Sequence, residues 1–360
     1  MSAQTSKSIF LSADGELVVQ PVTDKYSIEG SQCLVRVDYS AVNPCDLNFY
    51  FMGLKSFVTG FELSGIVEQT GPDSPFQVGD AVCGISPVII PMPSSHGTHQ
   101  DLAVARSELL YKIPSSVSSK DASAICMAAH TAADALFNVI GLGFPAAGVT
   151  GIDPAGQGVL IWGGASSVGN MALQMARAAG FRYIFTTASA KNHSVLRQLG
   201  ATHCFDYKSS SVVDDIQKAQ KTLEIDLTMA FDTVGKGTMN HAATSSPSTA
   251  ALTKSALCSS TSIEDLRLAC TLPVPADSAF GFCTSYRPKG NLNAMGAPQD
   301  PEAPVRVRKI MEHLLAATEG GLRLPVVTVV TAAEAGIEAI RRVAGGEMSM
   351  EKLVLKHPLE

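Results

Sequence analysis

The stretch from Leu160 to Gly180, LIWGGASSVGNMALQMARAAG, constrains the fold of this 360-residue chain more than any other. An apolar run enters a group of small residues and continues as a pattern with apolar residues at helical spacing. A strand that turns tightly into a helix presents backbone N–H groups to an anion at the helix N-terminus. The stretch therefore predicts a phosphate-binding turn, although a glycine-rich turn without a ligand has the same pattern.

The glycines of this turn follow only part of the G-x-G-x-x-G pattern of dinucleotide-binding folds. Gly164 and Gly169 take the first and third places, and Ser166 takes the second. In the full pattern the first glycine makes the turn, the second admits the pyrophosphate and the third lets the helix pack on the strand. We expect the Ser166 hydroxyl to donate to the phosphates, while its side chain leaves less room for the pyrophosphate to approach the backbone.

The rest of the chain divides into two patterns. From Gly158 onward, strands and helices alternate through GVLIWG, RYIFTTAS, THCFDY and IDLTMAFDTVG, with SAFGFCTSY as a last strand. This alternation predicts an α/β fold of right-handed βαβ units around a doubly wound parallel sheet. From Leu17 to about Lys112, short runs broken by Gly, Pro and Asp are typical of a β-rich barrel. The C-terminal runs LPVVTVV and EKLVLK are expected to rejoin that β-rich part.

The boundary between the two patterns falls in a helical block, SSKDASAICMAAHTAADALFNVI, with Ser118 or Ser119 as its N-cap. We expect one domain from residues 1–127 and 289–360, and a second from residues 128–288. The segment from Lys254 to Gly290 has no clear pattern before its last strand.

Composition excludes several classes of function. The net charge of -6 comes without a basic block, which argues against a nucleic-acid partner. The eight cysteines contain no C-x-x-C, so we expect reduced thiols in a cytoplasmic protein rather than disulfides or a zinc ribbon. The chain has no signal-peptide pattern and no run of roughly 20 apolar residues, so we expect no membrane association. Small molecules or other proteins are the expected partners.

The strand after the turn indicates which dinucleotide would bind. Enzymes that bind NAD usually carry an Asp or Glu about 20 residues past the loop, on the ribose 2′-hydroxyl. Here the strand ends in TTASAKN, with no acid at its tip. Ser189, Lys191 and Asn192 offer donors and a positive charge there, which favours NADP, although the same residues are also typical of an ordinary polar helix cap.

Several segments together resemble one family. In order they are AVNPCD, TGFELSGIVEQTG, VGDAVCG, WGGASSVGNMALQMARAAG, TTASAKN, LGATHCFDY, AFDTVG and GEMSMEKLV. Their order and spacing are similar to those of the medium-chain dehydrogenase/reductase superfamily. Within it, the zinc-independent quinone-oxidoreductase-like branch, and especially the fungal trans-acting enoyl reductases of polyketide biosynthesis, is the nearest in pattern.

The resemblance implies a GroES-like catalytic domain from both ends of the chain, a Rossmann domain, and NADPH in the cleft between them. It implies a catalytic role for Thr131 on the substrate side. His130, at the start of the same helix, could also donate to a carbonyl as a second catalytic residue, although a histidine satisfied at a helix end has the same pattern. The resemblance also implies cofactor contacts from residues in both domains: Cys45, Asp46, Leu47, Asn48, Gly164, Ala165, Ser166, Ser167, Val168, Gly169, Ser189, Ala190, Lys191, Asn192, Tyr207, Ser349 and Met350. Where the family has a glycine-rich strand after the fourth βα unit, this chain has STAALTKSALCSS. The pattern therefore does not predict cofactor contacts from Leu252 to Lys254.

The resemblance implies no metal. Zinc-dependent members need a cysteine at the position of Asn43 and a histidine at that of Phe61, and zinc requires thiolate, imidazole or carboxylate ligands. His96 and His99 have no third ligand at a suitable spacing, and we expect His99 to face a sheet edge or solvent.

The function implied is NADPH-dependent, trans-acting reduction of an α,β-unsaturated polyketide acyl thioester. The substrate would be a small molecule or a carrier-bound acyl chain, with a polyketide synthase as partner in trans. Two alternatives stay open at this point. One is reduction of a small free quinone or enone. The other is a non-redox binding or cyclising scaffold on the same fold. No residue stands out as the proton donor, so water could serve.

Overall fold

The computed structural model describes residues 6–239, 246–257, 265–293, 296–317 and 321–360. The chain forms two compact units. The first unit comprises Met1–Met127 with Arg323–Glu360, and the second comprises Ala128–Leu322. Within the described residues, no helix is long and apolar enough to cross a membrane. The seven cysteines in these ranges are free thiols, and Cys258 lies outside them.

The first unit is built mainly of antiparallel strands, as its short apolar runs predict. Numbered along the whole chain, its strands are β1 Lys7–Leu11, β2 Leu17–Pro21, β3 Gln32–Ala41, β4 Phe57–Val58, β5 Glu62–Thr70, β6 Ala81–Ile85, β7 Leu102–Arg106, β8 Leu110–Lys112, β15 Val326–Val330 and β16 Glu351–Lys356. Its helices are α1 Cys45–Asn48, α2 Ser119–Ala122 and α9 Ala333–Ala344, with 3-10 turns at Phe49–Met52, Ser94–His96 and Ser107–Leu109.

Two sheets form the described part of the first unit. One has the order β2-β1-β4, and the other has the order β15-β16-β3-β5-β6-β8, with β7 also paired to β3. The C-terminal β16 therefore lies inside the larger sheet, antiparallel to β3 and parallel to β15. The unit's main apolar cluster joins both ends of the chain, because Ile9 and Phe57 pack with Ile340 and Leu355.

The second unit contains the predicted doubly wound sheet. Its strands are β9 Gly158–Trp162, β10 Tyr183–Thr187, β11 His203–Phe205, β12 Met229–Asp232, β13 Arg267–Cys270 and β14 Phe280–Phe282. Its helices are α3 Cys126–Ala133, which starts at the boundary, α4 Ser167–Ala179, α5 His193–Leu199, α6 Val212–Leu223, α7 Thr249–Ser255 and α8 Ala303–Ala316. A π-helix at Asp134–Val139 and 3-10 turns at Pro145–Ala147 and Ala190–Asn192 complete the described elements.

The strands of this sheet have the order β11-β10-β9-β12-β13-β14, and every pair is parallel. Strands buried on both faces read as continuous apolar runs, and β9 is fully buried along its length. The sequence pattern did not reveal β13, a four-residue strand in the segment after Lys254. The α/β fold class is confirmed.

The C-terminal domain boundary differs from the expected residue 289. Residues 289–322 belong to the second unit because α8 packs there, with Val307, Ile310 and Met311 buried. Arg306 on α8 also donates to Asn138 Oδ1 on the π-helix at 2.8 Å, which holds the helix on this unit.

Candidate functional site

The parallel strands of the second unit end at one edge of their sheet, where ligands bind in open α/β folds. Between β9 and α4, the chain turns at Gly163, whose φ of +88° lies in the region that favours glycine. The turn-forming position is therefore Gly163, one residue before the expected Gly164. A Cβ on Gly164 would lie 2.2 Å from Thr186 Oγ1, and one on Gly169 would lie 2.4 Å from the Gly163 carbonyl oxygen. Gly164 and Gly169 thus allow strand and helix to approach closely.

The structure contradicts the expected role of the Ser166 hydroxyl. Ser166 is the N-cap of α4, and its Oγ accepts from the Gly169 N–H at 2.9 Å. Its Oγ also lies 2.9 Å from Thr233 Oγ1, which donates to the carbonyl oxygens of Trp162 and Gly163. Because Thr233 uses its hydrogen there, Ser166 donates its own to Thr233. That hydrogen is not available to a phosphate.

The backbone of α4 remains suited to an anion. Ser167 and Val168 are its first two helical residues, whose N–H groups have no acceptor within a helix. The helix is 13 residues long, so its dipole adds to the positive potential at this end. A dinucleotide would place its pyrophosphate at this end of the helix. The amides of Ser167 and Val168, next to Ala165, fit that group.

The predicted 2′-phosphate residues lie at the same sheet edge. β10 and β11 pair in parallel up to Thr187 and Phe205, so the segments that follow these strands are neighbours. Ala190 and Lys191, after β10, and Tyr207, after β11, are exposed, and Ser189 is half-buried. Asn192 is buried, with 8% of its surface exposed, and belongs to the packing of this turn. The adjacent Lys208 is exposed and adds a second positive charge that sequence reasoning missed.

The residues expected on the substrate side lie on α3. Thr131 is half-buried, and His130 is buried with 4% of its surface exposed. His130 Nδ1 lies 3.1 Å from the Ser285 carbonyl oxygen, so this nitrogen carries a hydrogen and donates it. Burial lowers the pKa of His130 to about 4, which keeps the ring neutral. A neutral ring protonated at Nδ1 has no second N–H, so His130 does not fit the donor role expected of it.

Directly after α3, the π-helix carries a buried ion pair. Asp134 accepts from Arg287 Nε at 2.5 Å and Nη2 at 2.8 Å, and from the Thr284 N–H at 2.9 Å. Its Oδ1 also accepts from Asn138 Nδ2 at 2.7 Å. π-Helices of this kind are frequent at functional sites. Together with His130, Asp134 fixes the loop after β14 against the segment that carries Thr131.

In the first unit, the segment expected to line a nicotinamide forms α1. Asn48 is exposed, while Cys45 and Leu47 are half-buried. Burial, and next the Asp46 charge, raise the pKa of the Cys45 thiol well above its usual value, so it is protonated. Asp46 is fully buried and its Oδ2 accepts from the Asn43 N–H at 2.7 Å, so its side chain points inward and does not line a surface as expected.

The residues at the expected positions of zinc ligands do not fit zinc. Phe61 is fully buried, packs on Phe57 and has no donor atom for a metal. Asn43 Nδ2 donates to Glu62 Oε2 at 3.1 Å, and Asn43 Oδ1 accepts from Lys352 Nζ at 2.5 Å. Lys352 also pairs with Glu62 at 3.3 Å, so a cation already balances that carboxylate. Among the described residues, no group of three or more His, Cys, Asp or Glu side chains could hold a metal ion.

The expectation that His99 faces an edge or solvent is wrong. Its side chain is fully buried, because β7 and the segment before it fold onto β3. His99 Nε2 lies 3.2 Å from Asp46 Oδ2, and Nδ1 lies 2.8 Å from Ser40 Oγ. Gly60, with φ +95°, makes room for this ring, since a Cβ there would lie 2.8 Å from His99 Cγ.

The remaining expected cofactor residues precede β16. Ser349 is exposed, and Met350 is half-buried with a φ of +61°, which is uncommon for a residue other than glycine.

Leu252 and Lys254 lie on α7, where Lys254 pairs with Asp277 at 2.7 Å. The place in the sheet expected for the family's glycine-rich strand is taken by β13, and Leu252 and Lys254 lie on a helix instead.

Comparison with known proteins agrees with this architecture. Residues 29–115 match the alcohol dehydrogenase GroES-like domain, and residues 167–253 match the zinc-binding dehydrogenase domain. These are the two domains of the medium-chain dehydrogenase/reductase superfamily, and the chain matches both of them. A solved member, an alcohol dehydrogenase superfamily protein from Novosphingobium aromaticivorans, shares the fold with a TM-score of 0.73 at 21% identity, over 98% of this chain and 99% of that one.

Two of the curated relatives come from fungi. The dehydrogenase pigH of Monascus ruber is 39% identical over 54% of this chain and 55% of its own length. The trans-enoyl reductase himH of Aspergillus japonicus is 33% identical over 51% of this chain and 54% of its own length. The chain thus matches about half the length of these relatives.

Proposed function

We propose that this oxidoreductase is an NADPH-dependent, zinc-independent enoyl reductase that acts in trans on a polyketide acyl thioester. One observation carries the proposal: α4 begins at the end of a parallel strand with the amides of Ser167 and Val168 in its first turn, while Phe61 fills the position where zinc-dependent members of the superfamily hold a ligand. A zinc ion polarises carbonyl substrates, so its loss favours a reaction that needs only hydride delivery and hydrogen-bond donors. The trans-enoyl reductases among the relatives support this reaction class.

Charge at the sheet edge supports NADPH over NADH. The amides of Ser167 and Val168 would hold the pyrophosphate, and Lys191 with Lys208 would face a 2′-phosphate. No acid ends β10, so a ribose 2′-hydroxyl would lack its usual acceptor. When bound, NADPH supplies the hydride that reaches the β carbon of the substrate.

Thr131 is the donor that we propose on the substrate side. Reduction of an enoyl thioester places negative charge on the thioester oxygen, and a fixed hydroxyl stabilises that charge. Thr131 is half-buried on α3, one residue from the His130–Ser285 hydrogen bond. His130 acts by fixing the helix, since its hydrogen is committed to Ser285.

The test is NADPH oxidation with an enoyl N-acetylcysteamine thioester, in wild type and in Thr131→Trp. We expect the variant to lose reduction and to retain NADPH binding in a fluorescence titration, because the added bulk lies on the substrate side. Thr222→Trp, at an exposed position on α6, is the matched control and should keep both properties.

Two results would overturn the proposal. A wild-type protein that binds NADPH but reduces neither enoyl thioesters nor quinones, while transforming a pathway intermediate, would be a non-redox scaffold. Reduction of free quinones alone would assign the protein to quinone or enone reduction.

A further inference from the structure

A single hydroxyl joins the end of β12 to the turn between β9 and α4. Thr233 directly follows β12 and is 6% exposed. Its Oγ1 donates to the carbonyl oxygens of Trp162 and Gly163, both at 2.9 Å, and lies 2.9 Å from Ser166 Oγ. β12 pairs in parallel with β9, which brings Thr233 beside this turn although 67 residues separate it from Ser166. The hydroxyl therefore contacts the turn at three points.

One of these three contacts depends on the hydroxyl more than the others do. The Trp162 carbonyl also accepts from the Thr233 N–H at 3.0 Å, and the Gly163 carbonyl also accepts from the Ser166 N–H at 3.0 Å. Both carbonyls thus keep a donor if the hydroxyl is removed. The Ser166 hydroxyl accepts from the Gly169 N–H and donates to Thr233, which is its acceptor in the described part of the chain. Thr233 therefore fixes the Ser166 side chain.

The orientation of Ser166 determines how an anion reaches the helix. A side chain at the second glycine place leaves less room for the pyrophosphate to approach the backbone. Here Ser166 Oγ is held between two buried residues, Thr233 and Gly169. The N–H groups of Ser167 and Val168, in the first turn of α4, stay available to the anion. Without Thr233, the Ser166 hydrogen would turn to another acceptor, and the N-cap that fixes this first turn would weaken.

Asp232 fixes the backbone on both sides of Thr233. The Asp232 side chain is fully buried, and its Oδ1 accepts from the N–H groups of Val234 at 2.9 Å and Gly235 at 3.1 Å. Its Oδ2 accepts from the Thr249 hydroxyl at 2.6 Å. The Thr233 hydroxyl thus has a fixed place before any ligand binds, and such preorganisation lowers the entropy cost of binding.

We propose that Thr233 is a positioning residue for the dinucleotide. It acts through Ser166 on the amides of Ser167 and Val168, which would hold the pyrophosphate. The inference rests on the proposed function for its cofactor alone, and every residue that it needs belongs to the second unit. NADPH and NADH share the pyrophosphate, so Thr233 affects both cofactors alike, whereas Lys191 would act on the 2′-phosphate.

Thr233→Val tests this role because it removes the hydroxyl and keeps the branched shape. Two probes separate the parts of the dinucleotide in isothermal titration calorimetry. ADP-ribose carries the pyrophosphate without a 2′-phosphate, and adenosine 2′-monophosphate carries the 2′-phosphate without a pyrophosphate. We expect Thr233→Val to raise the ADP-ribose Kd about tenfold and to change the adenosine 2′-monophosphate Kd by less than about twofold. Thr233→Ser retains a hydroxyl and should restore the wild-type values.

Thr253→Val is the matched control. Thr253 is fully buried on α7 of the same unit, and its hydroxyl donates to the Thr249 carbonyl oxygen at 2.7 Å. This variant also loses a buried hydroxyl, but not one that contacts the turn, so it should keep the wild-type Kd for both probes. Equal ADP-ribose affinities in Thr233→Val and Thr253→Val would overturn the inference. An equal loss of both probes in Thr233→Val would overturn it as well.

Ser166→Ala shows whether Thr233 acts through the serine. This change leaves β12 and Thr233 intact, and it should itself raise the ADP-ribose Kd about tenfold. Adding Thr233→Val to Ser166→Ala should then raise the Kd by less than about twofold more, because the residue through which Thr233 acts is already gone. An unchanged Kd in Ser166→Ala, or fully additive losses in the double variant, would refute the positioning role.

These binding assays separate the two proposals, because neither probe is a substrate. If Thr233→Val weakens ADP-ribose alone but the wild type reduces no enoyl thioester, the proposed function fails and the positioning role stands. If the wild type reduces enoyl thioesters and Thr233→Val binds ADP-ribose as the wild type does, the positioning role fails and the function stands. A wild type that binds neither ADP-ribose nor NADPH would refute both.

Discussion

Replacement of Asp134 by asparagine should strongly destabilise the second unit. The carboxylate is 1% exposed and receives four hydrogen bonds, two of them from Arg287, whose side chain is 11% exposed. Asparagine keeps the volume, so no cavity forms, but it removes the charge opposite the guanidinium. Breaking a buried pair on one side costs about 3–5 kcal/mol, because the remaining charge stays uncompensated.

Asp300→Asn is the natural control for this change. Asp300 pairs with Arg306 at 2.8 Å in the same unit, but its side chain is 52% exposed. Exposed pairs contribute about 0–1 kcal/mol, so this variant should lose little stability. In Asp134→Asn/Arg287→Met the unpaired cation is gone, and part of the lost stability should return.

Urea unfolding followed by tryptophan fluorescence measures these differences. The chain has one tryptophan, Trp162, which lies on β9 of the same unit and is 3% exposed. The free energy of unfolding from this signal therefore reports on the second unit. If Asp134→Asn loses less than about 1 kcal/mol, as expected for Asp300→Asn, the assignment of a desolvated ion pair is wrong.

Other predictions concern the cofactor, the pH response and metals. Lys191→Glu should raise the NADPH Kd about tenfold and leave the NADH Kd nearly unchanged in fluorescence titrations, because a carboxylate repels the 2′-phosphate. Gly169→Ala should abolish NADPH binding, since its Cβ would lie 2.4 Å from the Gly163 oxygen, whereas Gly345→Ala, with no contact under 3.3 Å, should retain it. The depressed pKa of His130, about 4 against 6.5 unfolded, gives stability that is present above pH 6.5 and lost as pH falls to 4. His130 should contribute about 3 kcal/mol to this loss, so His130→Gln should lose about 3 kcal/mol less than the wild type over the same pH range in urea unfolding. Elemental analysis should find no stoichiometric zinc, and chelator should leave activity intact.

Local patterns predicted much of this fold. The strand and helix around Leu160–Gly180 form as β9 and α4, and Ser118 caps α2 by accepting from the Asp121 N–H. These features depend on spacing within a few residues. β13 was missed because a four-residue apolar run has too little periodicity to separate strand from helix.

The site residues that sequence reasoning misjudged depend on distant partners. Ser166 was expected to serve a phosphate, but its hydrogen goes to Thr233, 67 residues away. His99 was expected at an edge, and its partner Ser40 is shared with His357, which is 317 residues from Ser40. No local pattern reports such pairings. A buried imidazole is recognisable only when the groups that satisfy it are known.

The interior position of β16 imposes an order on folding during synthesis. The second unit is one continuous segment, and all of its parallel strands have left the ribosome before Glu351 is made. It can fold while the first unit still lacks the strand that lies between β15 and β3. Until then, β3 exposes the unpaired backbone groups of Tyr39–Ala41, an edge open to pairing with other chains. His357 arrives with the same segment, so completing the sheet and connecting the two buried histidines through Ser40 are a single event.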